Sequence, residues 1–276
     1  MLRHSFCVNS LRISEKSSKF VADFVRTCEY AHVYTNIRKM KIAIIGYGKM
    51  GHMIEDVAQN RGHEIVARID VGDAFDLKDA DVAIEFTTPA TAKDNILRAW
   101  AQGVPVVCGT TGWIENLSPT LSSREGELGG RKGEWKIEES SNKVIVKDET
   151  GKVMLVWSSN YSVGVNIFFE LNKFLAQKMA EQPQYMPSIK EIHHIHKLDK
   201  PSGTAKTLAE QIRETDLSRY RNIEDIEIES VREGEVPGTH EVTWDSEEDT
   251  IVITHIAKGR RGFALGAVLA AEKIVG

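Results

Sequence analysis

The sequence predicts an α/β fold in which a doubly wound parallel sheet is followed by an α+β domain with an open mixed sheet. From Met40 onward, short apolar strands alternate with segments of helical periodicity, which is typical of parallel βαβ units. In the last third of the chain, the strands alternate apolar and polar residues, as in a sheet with one covered face. A glycine-rich turn between the first strand and the first helix supports the same fold class.

We divide the chain into an extension (1–39), a first domain (40–158), a second domain (159–259) and a C-terminal segment (260–276). In the first domain we expect strands at 42–45, 63–70, 81–87, 104–111 and 153–157, with helices over 50–58 and 91–101. An irregular insertion at 117–152 is rich in Gly, Glu, Lys and Ser, and predicts a surface excursion that ends in a small hairpin.

The second domain begins with a long amphipathic helix over 163–179, and strands follow at 189–196, 223–231, 239–244 and 250–255. A closing helix over 263–275 is expected to return to the first domain. Apolar residues on one sheet face, Val242, Trp244, Ile251 and Ile253, are more than one core needs. We therefore expect this face to meet other copies of the chain in a homo-oligomer.

The bulk composition excludes several classes of partner. Of the 276 residues, 41% are hydrophobic and 27% are charged, and the formal net charge is -5. This balance lacks the basic footprint that nucleic acids and anionic membranes select. No segment approaches the roughly 18 uninterrupted apolar residues of a membrane helix. We therefore expect neither a nucleic acid nor a membrane as a partner, and the motifs below indicate a small molecule instead.

The cysteines indicate a reducing compartment. Cys7, Cys28 and Cys108 are an odd number and lack the spacing of a metal site, so we expect the cytoplasm. Cys108 ends an apolar strand and is interpreted as a small buried hydrophobic residue.

Residues 1–39 do not match the rest of the chain, because they are rich in serine and basic residues and lack convincing helix caps. Two explanations stay open: a start codon assigned too far upstream, so that the functional protein begins at Met40, or a targeting peptide. Glu15, Asp23 and Glu29 are unusual in a targeting peptide and favour the first explanation.

The turn after the first strand reads Gly46-Tyr-Gly-Lys-Met-Gly51, a G-x-G-x-x-G pattern. Alone the pattern is weak, but here it joins a strand to a helix, and an acid, Asp70, follows at the end of the next strand. This context predicts a Rossmann-type dinucleotide site. Gly46 permits the tight turn, Gly48 lets the backbone approach the pyrophosphate, and Gly51 lets helix and sheet pack closely.

Other strand ends complete the predicted cofactor site. Asp70 is placed to accept hydrogen bonds from the adenosine ribose, while Arg68 is either a partner for a 2′-phosphate or a solvated charge. The segments 86–89 and 109–112 follow parallel strands, where ligands of open α/β sheets bind. The small and hydroxyl-bearing residues of these segments leave room for a nicotinamide and can donate to it. Taken separately, either segment could also be an ordinary turn.

The segment Glu191-Ile-His-His-Ile-His-Lys197 holds the densest group of titratable side chains. On a continuous strand, His193 and Lys197 share one face while His194 and His196 share the other. Imidazoles titrate near neutral pH and an ammonium attracts anions, so acid–base chemistry on an acidic substrate is indicated. Structural histidines are the alternative. We expect no metal, because further ligands with recognisable spacing are missing.

A helix start follows this segment at Pro201-Ser-Gly-Thr204. Apolar residues then recur at Ala205, Leu208, Ala209 and Ile212, which is helical spacing. The N–H groups of Gly203 and Thr204 and the Thr204 hydroxyl therefore offer an anion seat, which is compatible with Ser202 acting as the N-cap.

Five segments together resemble the 4-hydroxy-tetrahydrodipicolinate reductase (dihydrodipicolinate reductase) family. They are the segments 46–51, 86–89, 109–113, 159–166 and 193–204, and the last, His-His-Ile-His-Lys-Leu-Asp-Lys-Pro-Ser-Gly-Thr, is the most specific. The likeness covers residues 40–276 apart from the insertion. It implies NAD(P)H-dependent reduction of 4-hydroxy-tetrahydrodipicolinate to tetrahydrodipicolinate in the diaminopimelate route of lysine biosynthesis, by a homotetramer whose second domain binds substrate and joins subunits.

The resemblance also implies roles for single residues. His193 would donate and accept the proton, Lys197 would be a second proton donor, and His194, Gly203 and Thr204 would hold the substrate carboxylates. NADH and/or NADPH would be lined by Gly46, Tyr47, Gly48, Lys49, Met50, Gly51, Asp70, Gly109, Thr110, Thr111, Ser158, Ser159, Asn160, Tyr161, Arg260 and Phe263.

Two departures from the family pattern affect the cofactor half. Val71 stands where some members have a basic residue, which leaves a preference for NADPH in doubt, and the insertion replaces a short helix. Two other functions also fit the layout: a different two-domain dehydrogenase, acting on diaminopimelate or homoserine, and a non-catalytic dinucleotide-binding sensor. The His/Lys segment argues against the first, and the presence of His193 and Lys197 argues against the second.

Overall fold

The computed structural model describes residues 38–77, 79–114, 126–128, 131–133, 135–140 and 142–276. The expectations for residues 1–37, for Cys7 and Cys28, and for part of the insertion lie outside the described residues. No helix in the described ranges is both long enough and apolar enough to cross a membrane.

The first part of the chain builds a seven-stranded sheet, its covering helices and a separate two-stranded antiparallel sheet of residues 126–128 and 131–133. In chain order its elements are β1 (Lys41–Ile45), α1 (Lys49–Asn60), β2 (Glu64–Ile69), β3 (Val82–Glu85), α2 (Pro89–Ala101), β4 (Val106–Cys108), β5 (Gly126–Leu128), β6 (Arg131–Gly133), β7 (Lys136–Ser140), β8 (Lys143–Lys147) and β9 (Val153–Ser158). The predicted strands and helices of this part are confirmed, each within a few residues.

The first sheet has seven strands in the order β2-β1-β3-β4-β9-β8-β7. β1 to β4 and β9 are parallel, whereas β8 and β7 add antiparallel to one side of β9. The predicted hairpin within the insertion is therefore present, and it also extends the main sheet. Val144 and Val146 explain the extension, because their buried side chains give β8 a covered face.

Helices cover both faces of this sheet, as the doubly wound prediction requires. On one face, Met40, Ile42 and Ile44 pack among residues of α1 and of the closing helix. On the other, Ala43 and Ile45 belong to the core that contains Ile96 and Trp100 of α2.

The second part consists of α3 (Val163–Met179), β10 (Met186–His193), α4 (Gly203–Thr215), a 3₁₀ helix (Ile223–Asp225), β11 (Glu227–Arg232), β12 (Thr239–Asp245), β13 (Thr250–Ile256) and α5 (Arg261–Val275). The strand predicted from 223 therefore begins only at Glu227, after the 3₁₀ helix. Its four strands form a mixed sheet in the order β11-β10-β12-β13, in which only β10 and β11 are parallel. The closing helix α5 packs on the first sheet, as predicted, through Ala264, Ala267 and Val268. The division at 158/159 and 259/260 stays a prediction.

The prediction of which apolar residues the second sheet leaves uncovered is wrong for three of its four residues. Val242 and Trp244 are 0% and 1% exposed, and Ile253 packs against the same core, beneath α3 and α4, whereas Ile251 is 37% exposed. Because strand side chains alternate, the open face carries the other set, including Val252 and Ile256, which are 48% and 66% exposed. The sequence pattern identified two faces and could not tell which one the helices cover.

Candidate active site

A cleft beyond the carboxyl ends of β3, β4 and β9 consists of two cavities that share lining residues. The smaller, of about 230 Å³, is lined by Met50, Phe86, Gly109, Ser158, Ser159, Asn160, Tyr161, Arg260 and Phe263. The larger, of about 460 Å³, contains the His/Lys segment and the start of α4. Ser159, Asn160 and Phe263 line both, so the two cavities are neighbours along one cleft.

The turn between β1 and α1 has the shape that a dinucleotide fingerprint needs. Gly46 has φ of +91°, its N–H donates to Ile69 O at 2.8 Å, and an added Cβ would lie 2.2 Å from Phe86 O. A Cβ at Gly51 would lie 2.5 Å from Gly46 O, so helix and strand approach closely there. At Gly48, by contrast, an added Cβ would meet nothing within 4 Å. These three environments fit the roles assigned to the glycines and leave room for a pyrophosphate at the N-terminus of α1.

Arg68 already has a partner. Its Nε donates to Glu55 Oε2 on α1 at 3.0 Å, and the Tyr47 hydroxyl donates to the same carboxylate. The hydrogen bond from Arg68 is the main reason that the pKa of Glu55 falls to about 2. Asp70 is exposed, directly after β2, and its Oδ1 accepts from Val71 N at 2.9 Å. The Arg68 side chain is 40% exposed and is paired with Glu55, so neither alternative left open for it, a partner for a 2′-phosphate or a solvated charge, included the ion pair that the structure shows.

The strand ends that line the cleft are held by internal hydrogen bonds. Thr87 N donates to Thr110 Oγ1 at 2.8 Å, and Thr110 O accepts from the indoles of Trp113 and Trp157. The Tyr161 hydroxyl donates to Cys108 O at 3.0 Å and to Val156 O at 2.7 Å, which directs it away from a ligand. Cys108 is fully buried, as interpreted from its position.

The predicted cofactor residues separate into two groups. The cleft is lined by Met50, Gly109, Thr111, Ser158, Ser159, Asn160, Tyr161, Arg260 and Phe263. The others, Gly46, Tyr47, Gly48, Lys49, Gly51, Asp70 and Thr110, lie outside the lining of these two cavities. For the glycine turn and Asp70, this separation matches an extended dinucleotide whose adenosine end lies farther from the reacting end.

The His/Lys segment is not a continuous strand, and the prediction based on alternation is wrong. β10 ends at His193, which pairs with Arg232 at the end of β11. A turn follows, in which Lys197 N donates to His194 O at 3.1 Å. The turn brings His194 and Lys197 into the larger cavity together with His193. The His196 side chain is 70% exposed, its Nε2 lies 3.4 Å from Glu235 Oε1 and its ring lies 6.1 Å from that of His194, but it does not line the larger cavity.

His193 is buried at the wall of the cavity, and its two ring nitrogens face different surroundings. Nδ1 lies 3.2 Å from Glu191 Oε2. Nε2 lies beside Gly238, where an added Cβ would stand 3.2 Å away, and Gly238 itself lines the cavity. The ring therefore offers Nε2 to a ligand, and Gly238 keeps the approach open.

Glu191 is a buried carboxylate that joins three elements. It is 0% exposed, and its Oε1 accepts from Ser202 N and from Arg232 Nη2, each at 3.1 Å. Burial by itself would raise the pKa of Glu191, but contacts with His193, Ser202, Ser230 and Arg232 outweigh it and hold that pKa well below its usual range. Arg232 in turn donates to the carbonyl of Lys197 at 3.2 Å and to that of Asp199.

Two further histidines line the cavity and were not predicted. His240 Nε2 lies 3.2 Å from Ser202 Oγ, and its ring meets that of His193 edge-on at 5.0 Å. Burial, together with the neighbouring His193, lowers the pKa of His240 to about 3, so the ring is neutral at neutral pH. Burial also lowers the pKa of His255 on β13. Both histidines lie on the face of the second sheet that the helices cover. The alternation of apolar and polar residues along β12 and β13 is the sequence signal that could have identified this position.

The start of α4 has the geometry of an anion seat. Ser202 caps the helix by accepting from Ala205 N at 3.2 Å, and Gly203 and Thr204 line the cavity. First-turn N–H groups have no acceptor within their own helix, so they can serve a carboxylate. Asn160 donates to Thr204 Oγ1 at 3.4 Å and so connects the two halves of the cleft.

Glu191, His193 and His240 each offer one ligand atom, and these atoms lie within 4.8 Å of one another, as in a metal site. However, Arg232 pairs with the same carboxylate and already supplies its positive charge. The cluster therefore favours a proton and charge network.

Comparison with known proteins gives one consistent result. The family model described as "Dihydrodipicolinate reductase, N-terminus" matches residues 40–129, and the one described as "Dihydrodipicolinate reductase, C-terminus" matches residues 164–276. The chain is 42% identical over 242 residues to the 4-hydroxy-tetrahydrodipicolinate reductase of Christiangramia forsetii, which covers 84% of this chain and 91% of that protein. It is 34% identical to that of Staphylococcus aureus, over 86% of this chain and 95% of that protein.

Among solved structures, the dipicolinate-bound dihydrodipicolinate reductase from Paenisporosarcina sp. TG-14 is similar in fold. Its TM-score is 0.59 at 21% identity, over 86% of this chain and 95% of that chain.

Proposed function

The chain belongs to the dihydrodipicolinate reductase family and is an NAD(P)H-dependent oxidoreductase of the diaminopimelate route to lysine, and we propose that the two joined cavities are its active site. In this reaction 4-hydroxy-tetrahydrodipicolinate loses water, gains a hydride and a proton, and becomes tetrahydrodipicolinate. One observation carries the assignment to this cleft: His193, Lys197 and the start of α4 share a cavity that adjoins the dinucleotide half.

The smaller cavity and the glycine turn are suited to the cofactor. NADH or NADPH, when bound there, supplies the hydride. The turn at Gly46 and the N-terminus of α1 would hold the pyrophosphate, and Asp70 the adenosine ribose. The residues after β4 and β9 that line the cleft would orient the nicotinamide toward the larger cavity.

The larger cavity is suited to a cyclic dicarboxylate. His194 and the N–H groups of Gly203 and Thr204 would hold a carboxylate at the helix N-terminus. Lys197, whose Nζ lies 2.8 Å from Asp199 Oδ1, would add positive charge beside the ring and serve as a second proton donor. The Paenisporosarcina reductase, with dipicolinate bound, is a relative in fold that takes a ligand of this chemistry.

His193 would move the proton. Its Nε2 faces the cavity and, with substrate bound there, would reach the ring carbon beside the one that accepts the hydride. The Nε2–H bond breaks, its electron pair stays on the imidazole, and the proton passes to that carbon. An imidazole can both give and take a proton, which suits such a step.

We also propose that NADH is accepted at least as well as NADPH. Asp70 would repel a 2′-phosphate, Val71 offers no compensating charge, and Arg68 is paired with Glu55.

The roles of the site residues, a homotetramer and a cytoplasmic location are likewise part of this proposal. The open face of the second sheet, with exposed Val252 and Ile256, is the surface that we assign to subunit contact.

One assay tests the function. Purified protein is given NADH or NADPH and substrate made in situ from pyruvate and aspartate semialdehyde by the preceding synthase. We expect cofactor oxidation that depends on this substrate and is absent with diaminopimelate or homoserine. Activity on those amino acids would indicate a different dehydrogenase, and cofactor binding without turnover would indicate a sensor.

The carboxylate seat has its own test. Thr204→Val removes the hydroxyl and keeps the shape of the side chain, so KM for the substrate should rise while kcat changes little. Thr207→Val, on the same helix, is the matched control, because Thr207 is half-buried outside the lining of the cavity and its hydroxyl donates to Gly203 O. An unchanged KM in Thr204→Val would remove Thr204 from the seat.

A further inference from the structure

The buried carboxylate of Glu191 divides its two oxygens between two tasks. Oε1 accepts from Ser202 N at the start of α4 and from Arg232, both at 3.1 Å. Oε2 lies 3.2 Å from His193 Nδ1. The first set of contacts is sufficient to hold the loop and the helix start in place. The second oxygen faces the ring whose other nitrogen points into the cavity.

We propose that Glu191 is the positioning residue of His193: its Oε2 lies at ion-pair distance from Nδ1, outside hydrogen-bond geometry, and keeps the ring's proton on Nδ1 so that Nε2 faces the substrate. This inference rests on the proposed function, because it assigns Glu191 a part in the same proton transfer. Glu191 does not line the cavity, so it reaches the substrate only through the groups that it contacts, and its Oε2 acts through His193.

The electrostatics of the pair support this role. When His193 carries two protons, the ring is a cation, and the Glu191 carboxylate lies against its Nδ1 side. When the Nε2 proton has left, the neutral ring keeps its remaining proton on Nδ1, because an ionised carboxylate can only accept there. The low pKa of Glu191 keeps the carboxylate ionised throughout. The tautomer with a free Nε2 lone pair in the cavity is thus maintained between turnovers.

The neighbouring groups do not substitute for Glu191. His240 meets the His193 ring edge-on, and its own Nε2 lies by Ser202 Oγ. Asp199 is paired with Lys197. Arg232 is occupied with Glu191 and with backbone carbonyls, and as a donor it cannot accept the Nδ1 proton.

The informative variant is Glu191→Gln. Ser202 N and Arg232 are donors, so the amide oxygen should take the Oε1 position and leave the NH₂ facing His193 Nδ1. That arrangement keeps the contacts with Ser202 and Arg232. It also places a hydrogen-bond donor beside His193 Nδ1, where the wild type has an acceptor. We expect kcat to fall on the order of 10²-fold, since general acid catalysis contributes roughly 10²–10⁴-fold, while KM values change little.

A double-variant cycle distinguishes positioning from a separate role. If Glu191 acts only through His193, then Glu191→Gln combined with His193→Gln should be no slower than His193→Gln alone. Multiplied losses, an unchanged kcat in Glu191→Gln, or a rise in KM alone would each overturn the proposal. Glu235→Gln is the control, since Glu235 is an exposed carboxylate near the same turn and should have no effect.

Nitrogen-15 NMR of labelled histidine gives a readout that needs no turnover. In the wild type, neutral His193 should carry its proton on Nδ1, and in Glu191→Gln on Nε2; an unchanged tautomer would overturn the proposal.

If Glu191→Gln fails to fold, Glu191→Asp keeps the charge beside Arg232 and withdraws the carboxylate from the ring, so it should fold and lose kcat. If the wild type shows no reductase activity, the proposed function fails, while the tautomer still decides whether Glu191 sets the state of His193.

Discussion

The two halves of the cleft are built by different parts of the polypeptide. In the cofactor half, the turn at Gly46 and the start of α1 form the site from backbone, and side chains are excluded where a Cβ would lie 2.2 Å from a carbonyl oxygen. In the substrate half, the central groups are the buried side chains of Glu191, His193, Arg232 and His240, which come from three strands. The first half is local in sequence, and the second exists only when the strands are paired.

This difference has a consequence for sensitivity to mutation. A backbone site tolerates side-chain changes nearby as long as its glycines remain. A buried charge network does not, because removing one partner leaves another charge or polar group without compensation. We therefore expect substitutions in the substrate half to affect chemistry and stability strongly, and substitutions around the cofactor half mainly to shift affinity.

The largest effect is expected from His193→Gln, which would separate the two halves most clearly. Loss of the proton donor should lower kcat roughly 10²–10⁴-fold. The dissociation constant for NADH, measured by fluorescence titration, should stay unchanged, because His193 does not line the smaller cavity. Near-normal turnover would show that the proton comes from another group.

The second effect concerns stability against pH. The unfolded chain binds a proton at His240 as the pH falls through 6.5, but the folded protein resists protonation until the pKa of about 3. Between these values the unfolded state binds more protons, so stability should decrease as the pH falls. His255 shifts in the same direction.

The measurement is the Tm at about pH 7.5 and about pH 5.5. We expect a lower Tm at the acidic pH, and a smaller decrease in His240→Asn. His196→Asn, which removes an exposed histidine, is the control and should behave like the wild type. An equal decrease in all three proteins would show that burial of His240 does not govern the acid response.

A smaller effect is expected in the cofactor half. Asp70→Ala should weaken NADH binding more than NADPH binding, because the carboxylate would hold the ribose and repel a 2′-phosphate. Glu55→Gln should instead improve NADPH binding, by roughly severalfold, because Arg68 loses its charged partner. Equal losses for both cofactors in Asp70→Ala would show that this carboxylate does not contact the ribose.

No effect is expected from removing residues 1–39. The Met40 side chain packs in the core beside α1 and is kept in a chain that starts there, and the ion pair lost with Lys39, to Glu64, is exposed and contributes little. Tm and kcat/KM should match those of the full chain. An insoluble or inactive product would show that the extension contributes to the fold or the site, and the explanation by an upstream start codon would then be wrong.

Most of the fold followed from local patterns. Each major strand and helix was predicted within a few residues, since hydrophobic periodicity reports which side of an element is covered. The errors concern two features that hydrophobic periodicity does not report: where a strand ends, and which face of a sheet the helices cover. β10 ends at His193 because its neighbour β11 ends at Arg232, and the covered face of the second sheet depends on where α3 and α4 pack.

The sequence by itself determined the dinucleotide turn, the helix start at Ser202 and the presence of His193 and Lys197 in one short segment. These features depend on the conformation of a few consecutive residues, so their residue types suffice to identify them. Only the tertiary structure decided that Glu191 is buried against His193 and Arg232 and that His240 and His255 line the same cavity. The physical reason is that burial and charge pairing between strands depend on their register, and a residue's own neighbours in sequence carry no record of that register.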